Sequence, residues 1–202
     1  RHGAGDQIGG LRPDAAAAAD CLFAASAGGA DPGASASPSP SGAAIELRDV
    51  RKAFKGAVAL DGLTLSVPCG SVYGFLGPNG AGKTTTLRIL AGLARADAGT
   101  VRVLGRDVGD GADVRSLVGY LPDVPAFYRW MTAPEYLRFA GSLFGLSGEG
   151  LEDRVATALT LAGLSTTRTR IGGFSRGMKQ RLGVAQALIH GPRLLLLDEP
   201  TS

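Results

Sequence analysis

The order of apolar and polar side chains divides the chain near residue 44. Before that point, runs such as "AAAAAD" and "GGADPGASASPSPSG" hold scarcely a large apolar side chain. Burial there would be too small to offset ordering entropy, so residues 1–44 are expected to form a disordered, low-complexity tail, with folding beginning near Gly42. From residue 45 short apolar runs alternate with turns. "IELRDV" (45–50) and "LTLSV" (63–67) alternate with period two and predict half-buried antiparallel strands. "VYGFL" (72–76) is continuous and predicts a strand buried on both faces. "TVRVLG" (100–105) and "VGYLP" (118–122) predict further short strands. Helical spacing follows over 133–146, 150–164 and 175–191, and "LLLL" (194–197) predicts a second fully buried strand. Strands around a glycine-rich loop, a helical insert and then a central strand make an α/β domain over 45–202, with a helical portion over about 124–174.

Composition changes this picture only at its margins. The chain has 202 residues and 45% hydrophobic side chains, but much of that fraction is alanine and no 18-residue apolar run exists. "CLFAASA" is the nearest approach to a signal-peptide core, yet Asp20 stands against it and the upstream region is barely basic. The first residue is Arg rather than Met, which suggests a fragment edge or a misplaced boundary. The net charge of +3 is spread without Lys/Arg runs, so no nucleic-acid partner is expected and a solvated basic surface is the simpler reading. Cys21 and Cys69 form no disulfide framework and no Cys/His cluster has metal spacing.

The chemistry is concentrated in three segments. Residues 77–84, "GPNGAGKT", fit G-x-x-x-x-G-K-[ST] between a strand and a helix. Gly77, Gly80 and Gly82 let backbone N–H groups turn inward as an anion nest at a helix N-terminus, with Pro78, Asn79 and Ala81 completing the loop. Lys83 would neutralise β- and γ-phosphates, Thr84 would ligate Mg²⁺, and Thr85 would reach the α-phosphate. A nucleotide site of this kind still leaves kinases, GTPases, helicases and transport ATPases open.

The second segment is the strand that ends in Asp198 and Glu199. It would set Asp198 on the Mg²⁺ water shell and Glu199 beside an attacking water as general base. In the third, "GGFSRGMKQRL" (172–182), Ser175 is placed to cap the following helix, so that its hydroxyl and the amides of Arg176 and Gly177 make a second anion-binding end.

Together these segments resemble the nucleotide-binding subunit of an ATP-binding cassette (ABC) transporter. Residues 77–84 stand for that family's Walker A motif, "LLLLDE" for Walker B, and "FSRGM" where the family usually has "LSGGQ". The resemblance covers residues 45–202 and implies a P-loop NTPase, RecA-like core with an antiparallel β subdomain and a helical subdomain. It implies ATP and Mg²⁺ as cofactors, with Phe54 stacking on the adenine and Ser175 and Gly177 clamping the γ-phosphate held by the Lys83 of a second cassette. It also implies a membrane-spanning permease partner and a place at the cytoplasmic face of the cell membrane. In that setting Phe127, Tyr128, Trp130 and Tyr136 either face the permease or pack the helical subdomain.

"GYLPDVPAFYRWMT" and "SRGMKQRL" resemble the exporter branch that includes bacitracin- and daunorubicin-type resistance cassettes. Asp123 departs from the family, whose usual Gln at that place contacts Mg²⁺ and water. A carboxylate can still coordinate the metal but donates no hydrogen bond when ionised. Arg176 and Met178 likewise replace the commoner Gly and Gln. His190 precedes "LLLLDE", so it cannot be the family's switch histidine and reads as a helix-end cation or surface residue.

Against the family pattern the chain is incomplete after "PTS", where the switch histidine and the next central strand would follow. "LLLLDE" is therefore expected to expose backbone donors and acceptors, and the fragment to bind nucleotide weakly without turning it over. The competing function is a degenerate or soluble cassette that binds ATP and regulates a partner. Asp123 and the altered signature favour it, while Lys83, Thr84, Asp198 and Glu199 oppose it.

Overall fold

The computed structural model describes residues 42–109 and 114–199, together with the backbone of residues 21–25. Among the described residues, eight strands build two sheets. An antiparallel sheet has the order β3-β2-β5-β6, from β2 (Ala43–Phe54), β3 (Ala57–Pro68), β5 (Ala98–Val103) and β6 (Arg106–Asp107). A parallel sheet has the order β4-β1-β8-β7, from β1 (Cys21–Ala25), β4 (Val72–Gly74), β7 (Val118–Leu121) and β8 (Leu194–Asp198).

The β2–β3 hairpin follows from its turn. Lys55 and Gly56 both take positive φ, at 41° and 87°, and join the Phe54–Ala57 pair in a two-residue connection. Helix α1 (Lys83–Leu90) turns Leu87, Ile89 and Leu90 into a core shared with Ile45, Leu47 and Val50 of β2 and with Leu194 and Leu196 of β8. A second core joins α2 (Ala133–Ser142), α3 (Gly148–Leu161) and α4 (Arg176–Leu188) around Leu137, Leu164, Ile171 and Leu182. Thr132 and Glu135 close a capping box at the start of α2. The Arg138 fork on Glu152 ties α2 to α3 at 2.7 and 2.8 Å.

Glycine lets the two layers meet. A Cβ at Gly119 of β7 would run into the Ala187 carbonyl of α4, and one at Gly183 would come within 2.5 Å of Leu121 Cδ1. Helix α4 therefore lies directly on β7, which fixes the helical layer relative to the strand that precedes Asp123.

Four expectations are corrected. Within the segment read as a disordered tail, residues 21–25 form β1, and β2 already begins at Ala43; the rest of residues 1–41 lies outside the described residues. Strand β8 does not present an open edge, because β1 pairs with it in parallel register from Cys21↔Leu194 to Ala25↔Asp198, opposite β7. Short parallel strands satisfy the backbone groups that "LLLL" would otherwise leave bare. Strand β4 is not buried on both faces: it lies at the sheet edge, with Val72 70% exposed, and an apolar run alone does not separate an edge from a centre. His190 is neither a cation nor a surface residue. Its ring stacks on Phe144 with centroids 3.9 Å apart and planes 6° apart, and burial, helped by the charge of Arg154, holds its pKa below the usual histidine value.

A depressed histidine pKa stabilises the fold while the ring stays neutral. Stability from His190 is present above the unfolded value of about 6.5 and is lost as pH falls through it toward the folded value. Urea midpoints should drop between pH 7.5 and 5.5, and His190→Phe should flatten that drop. An unchanged slope in the variant would assign the loss to other groups.

Candidate functional site

Strand β4 leads through residues 75–82 into α1, whose N-cap is Gly82 at φ 82°, with Gly80 at φ 85°. These left-handed conformations suit glycine and turn the loop over the helix end. A Cβ at Gly82 would lie 2.5 Å from both the Ala59 carbonyl oxygen and Leu60 Cδ2. The β2–β3 hairpin thus packs directly on the loop, and only a glycine leaves it room. The Ala81 N–H donates to the Pro78 carbonyl at 3.2 Å, while the Thr86 N–H and hydroxyl both donate to the Gly82 carbonyl at 2.8 and 3.0 Å.

Lys83 folds back across this loop. Its side chain belongs to a residue only 7% exposed, and Nζ donates to the carbonyls of Gly77 at 2.5 Å and Pro78 at 3.1 Å. Thr84 Oγ1 donates to Asp198 Oδ1 at 3.1 Å, and the Tyr120 hydroxyl donates to Asp198 Oδ2 at 3.4 Å. Asp198 is 2% exposed and has both oxygens engaged. Burial, then the Asp198 charge, push the Tyr120 pKa up, which keeps that phenol a donor. The loop amides, one ammonium and a hydroxyl–carboxylate pair are together suited to a polyphosphate and a hard divalent cation.

The remaining candidates are placed around this set. Glu199 follows Asp198 with φ 49°, a strained backbone at the point where the chain leaves β8. Thr85 is half-buried in the first turn of α1, and Pro78, Asn79, Gly80 and Ala81 are exposed on the loop. Ser175 caps α4, accepting from the Met178 N–H at 3.2 Å, and Ser175, Arg176 and Gly177 are exposed, with open space at Gly177. Asp123 is exposed, two positions beyond the end of β7. Phe54 ends β2 and is 50% exposed. Of the four predicted aromatics, Tyr136 is buried in the helical core, Phe127 packs against it, and Tyr128 and Trp130 are exposed.

The structure therefore brings together Lys83, Thr84, Asp198 and the loop through direct hydrogen bonds. Phe54, Ser175 and Gly177 stand outside that bonded set. Tyr120 was not singled out from sequence. Its place beside Asp198 depends on β7 pairing with β8, with Tyr120 opposite Leu196, and no local pattern reveals that register.

The family model for "ABC transporter" matches residues 60–202, a span that includes the loop, α4 and β8. The chain belongs to the ABC transporter family. It is 46% identical over 159 residues to an uncharacterized ABC transporter ATP-binding protein of Bacillus subtilis, covering 78% of this chain and 52% of that relative. It is 40% identical over 160 residues to the bacitracin transport ATP-binding protein of Bacillus licheniformis, covering 78% of this chain and 51% of the relative. The daunorubicin/doxorubicin resistance ATP-binding protein of Streptomyces peucetius is 43% identical over 161 residues, with coverage of 79% and 49%.

This chain thus spans about half the length of the curated relatives it matches. Among solved structures, an ATP-binding subunit of an ABC transporter superposes with TM-score 0.69 at 31% identity, covering 78% of this chain and 66% of that one. A dimeric ATP-binding cassette in a post-hydrolysis state with ADP and Pi superposes with TM-score 0.71 at 26% identity, covering 78% and 74%. The P-loop NTPase fold of the ABC cassette, with its antiparallel sheet and helical layer, is accordingly that of this chain.

Proposed function

We propose that this chain is the ATP-binding part of an exporter-type ABC transporter that couples ATP binding and hydrolysis to movement of substrate through a separate membrane subunit. The observation that carries the reading is the Thr84–Asp198 hydrogen bond at the mouth of the phosphate loop, with Lys83 resting on the loop carbonyls. Loop amides and Lys83 would hold the phosphates, and Thr84 and Asp198 would hold Mg²⁺. Among the described residues no group of three or more His, Cys, Asp and Glu makes an all-protein cage, so nucleotide oxygens would supply the rest of the metal's shell. The metal would neutralise charge on the phosphates. Glu199 would take the proton of the attacking water, and Asp123 would approach the same region from the end of β7.

The exposed cap formed by Ser175 and Gly177 suits a γ-phosphate bound by a second copy, in keeping with the dimeric solved relative. Exposed Tyr128 and Trp130, the latter at 63%, suit a membrane subunit on the helical face, with the cassette peripheral at the cytoplasmic side. No helix among the described residues is long and apolar enough to cross a membrane. The names of the bacitracin and daunorubicin relatives support the exporter branch.

Because the curated relatives are about twice as long, we place hydrolysis in a longer protein and weak binding in this chain. Fluorescent-ATP titration and phosphate release should be measured on the 202-residue chain and on a version extended beyond Ser202. Binding by both and release from the longer one alone is the expected result. Comparable release from the shorter chain would remove the division of labour, and binding by neither would remove the whole reading. Binding without release in both would favour the regulatory cassette that Asp123 suggests.

A further inference from the structure

One carboxylate outside the phosphate loop grips the end of β2. Asp97 stands immediately before β5, and its Oδ1 accepts from Lys52 Nζ at 2.6 Å while its Oδ2 accepts from the Ala53 N–H at 2.8 Å. Its own N–H donates to the Arg51 carbonyl at 2.9 Å. Three successive residues, 51 to 53, are thereby tied to Asp97, Arg51 through the Asp97 backbone N–H and Lys52 and Ala53 through its carboxylate, and Phe54 is next. The Lys52 side chain is largely covered, at 15% exposure, and its Nζ sits 5.2 Å from the centroid of the Phe54 ring. Lys52, then the Ala53 N–H, hold the Asp97 carboxyl below the usual carboxylate range, so the clamp is charged at neutral pH. The return strand of the same hairpin packs on Gly82 of the phosphate loop through Ala59 and Leu60. The ring and the loop are thus attached to one hairpin, which Asp97 holds from the β5 side.

We infer that Asp97 is a positioning residue for the nucleotide base: it fixes Lys52 and the backbone at Ala53 so that Phe54 is held at a set distance from the phosphate loop as a stacking platform. Lys52 engages the ring as a cation, and the exposed part of the ring is left for a planar base. The ligand class this selects is a nucleoside triphosphate over a bare polyphosphate. The inference rests on the reading of Phe54 as the base platform, and it assigns to Asp97 a share of affinity that depends on the base alone.

The test compares ATP with inorganic tripolyphosphate, which has the phosphates and lacks the base. Competition against a fluorescent nucleotide on the full 202-residue chain gives both affinities. The wild-type chain should prefer ATP by roughly tenfold or more, the range expected of one base–aromatic stack. Asp97→Ala should weaken ATP about three- to tenfold and leave tripolyphosphate within about twofold. Asp97→Asn, which keeps an acceptor for the Ala53 N–H, should recover part of the loss, and Lys52→Met should fall between the two.

Equal loss of both ligands in Asp97→Ala would mean a general disturbance of the fold and overturn the inference, as would no loss of either. A wild-type chain that binds ATP no better than tripolyphosphate would overturn the Phe54 reading and the role of Asp97 with it. A wild-type preference that survives Asp97→Ala would overturn the Asp97 role alone.

Discussion

Lys83→Ala should weaken binding of ATP to the chain by about ten- to a hundredfold while leaving its circular dichroism and thermal midpoint close to wild type. The size follows from losing charge-assisted hydrogen bonds to phosphate oxygens, worth about 1.5–3 kcal/mol. The sparing of the fold follows from where the ammonium sits. It is bonded to the carbonyls of half-buried Gly77 and exposed Pro78, where water can replace it, and among the described residues it makes no ion pair. A dissociation constant within twofold of wild type would show that Lys83 is a structural strut of the loop and contributes nothing to the ligand.

Glu199→Gln separates binding from turnover. In the extended protein, phosphate release should fall at least about a hundredfold, the range attributed to a positioned general base, while ATP affinity holds. Gln preserves the size and the two terminal heteroatoms, and it tolerates the backbone at φ 49° about as well as Glu does, so the chain should leave β8 along the same path. What it loses is the capacity to accept a proton. The neighbouring Asp198 carboxylate cannot substitute, because it is 2% exposed and both its oxygens are occupied by Thr84 and Tyr120. Single-turnover release with pre-bound ATP is the measurement, and rates near wild type would assign proton removal to another group.

The parts of this molecule whose placement is legible in the sequence are those whose meaning is local. The phosphate loop is contiguous, so its glycines, Lys83 and Thr84 could be placed without knowing the topology. The Ser175 cap needs only the three residues that follow it, and its hydroxyl does accept from Met178. Asp198 and Glu199 are announced by the leucine run that carries them.

What was not legible depends on partners far along the chain. Asp97 meets residues more than forty positions earlier, Tyr120 meets Asp198 across a sheet register, and His190 finds Phe144 on another element. Apolar content misplaced β4, since an edge strand in this sheet can be as hydrophobic as a central one. The Ala/Gly/Ser/Pro-rich surroundings of "CLFAA" hid β1, since a run of five residues is enough for a strand when β4 and β8 each offer it an edge to pair with.

The position of β1 also bears on how the chain acquires its fold. Among the described residues, strands β4 and β8 are joined only through β1, so the parallel sheet closes when residues 21–25 meet residues 194–198. Contacts of such sequence separation are entropically costly to form early, and parallel pairing has no hairpin to nucleate it. The β2–β3 hairpin and the α2–α3–α4 layer, rich in near-neighbour pairings, can assemble first. On a ribosome, Cys21–Ala25 would emerge long before β8, and the edge of β1 that receives β8 would stay open until "LLLLD" is synthesised.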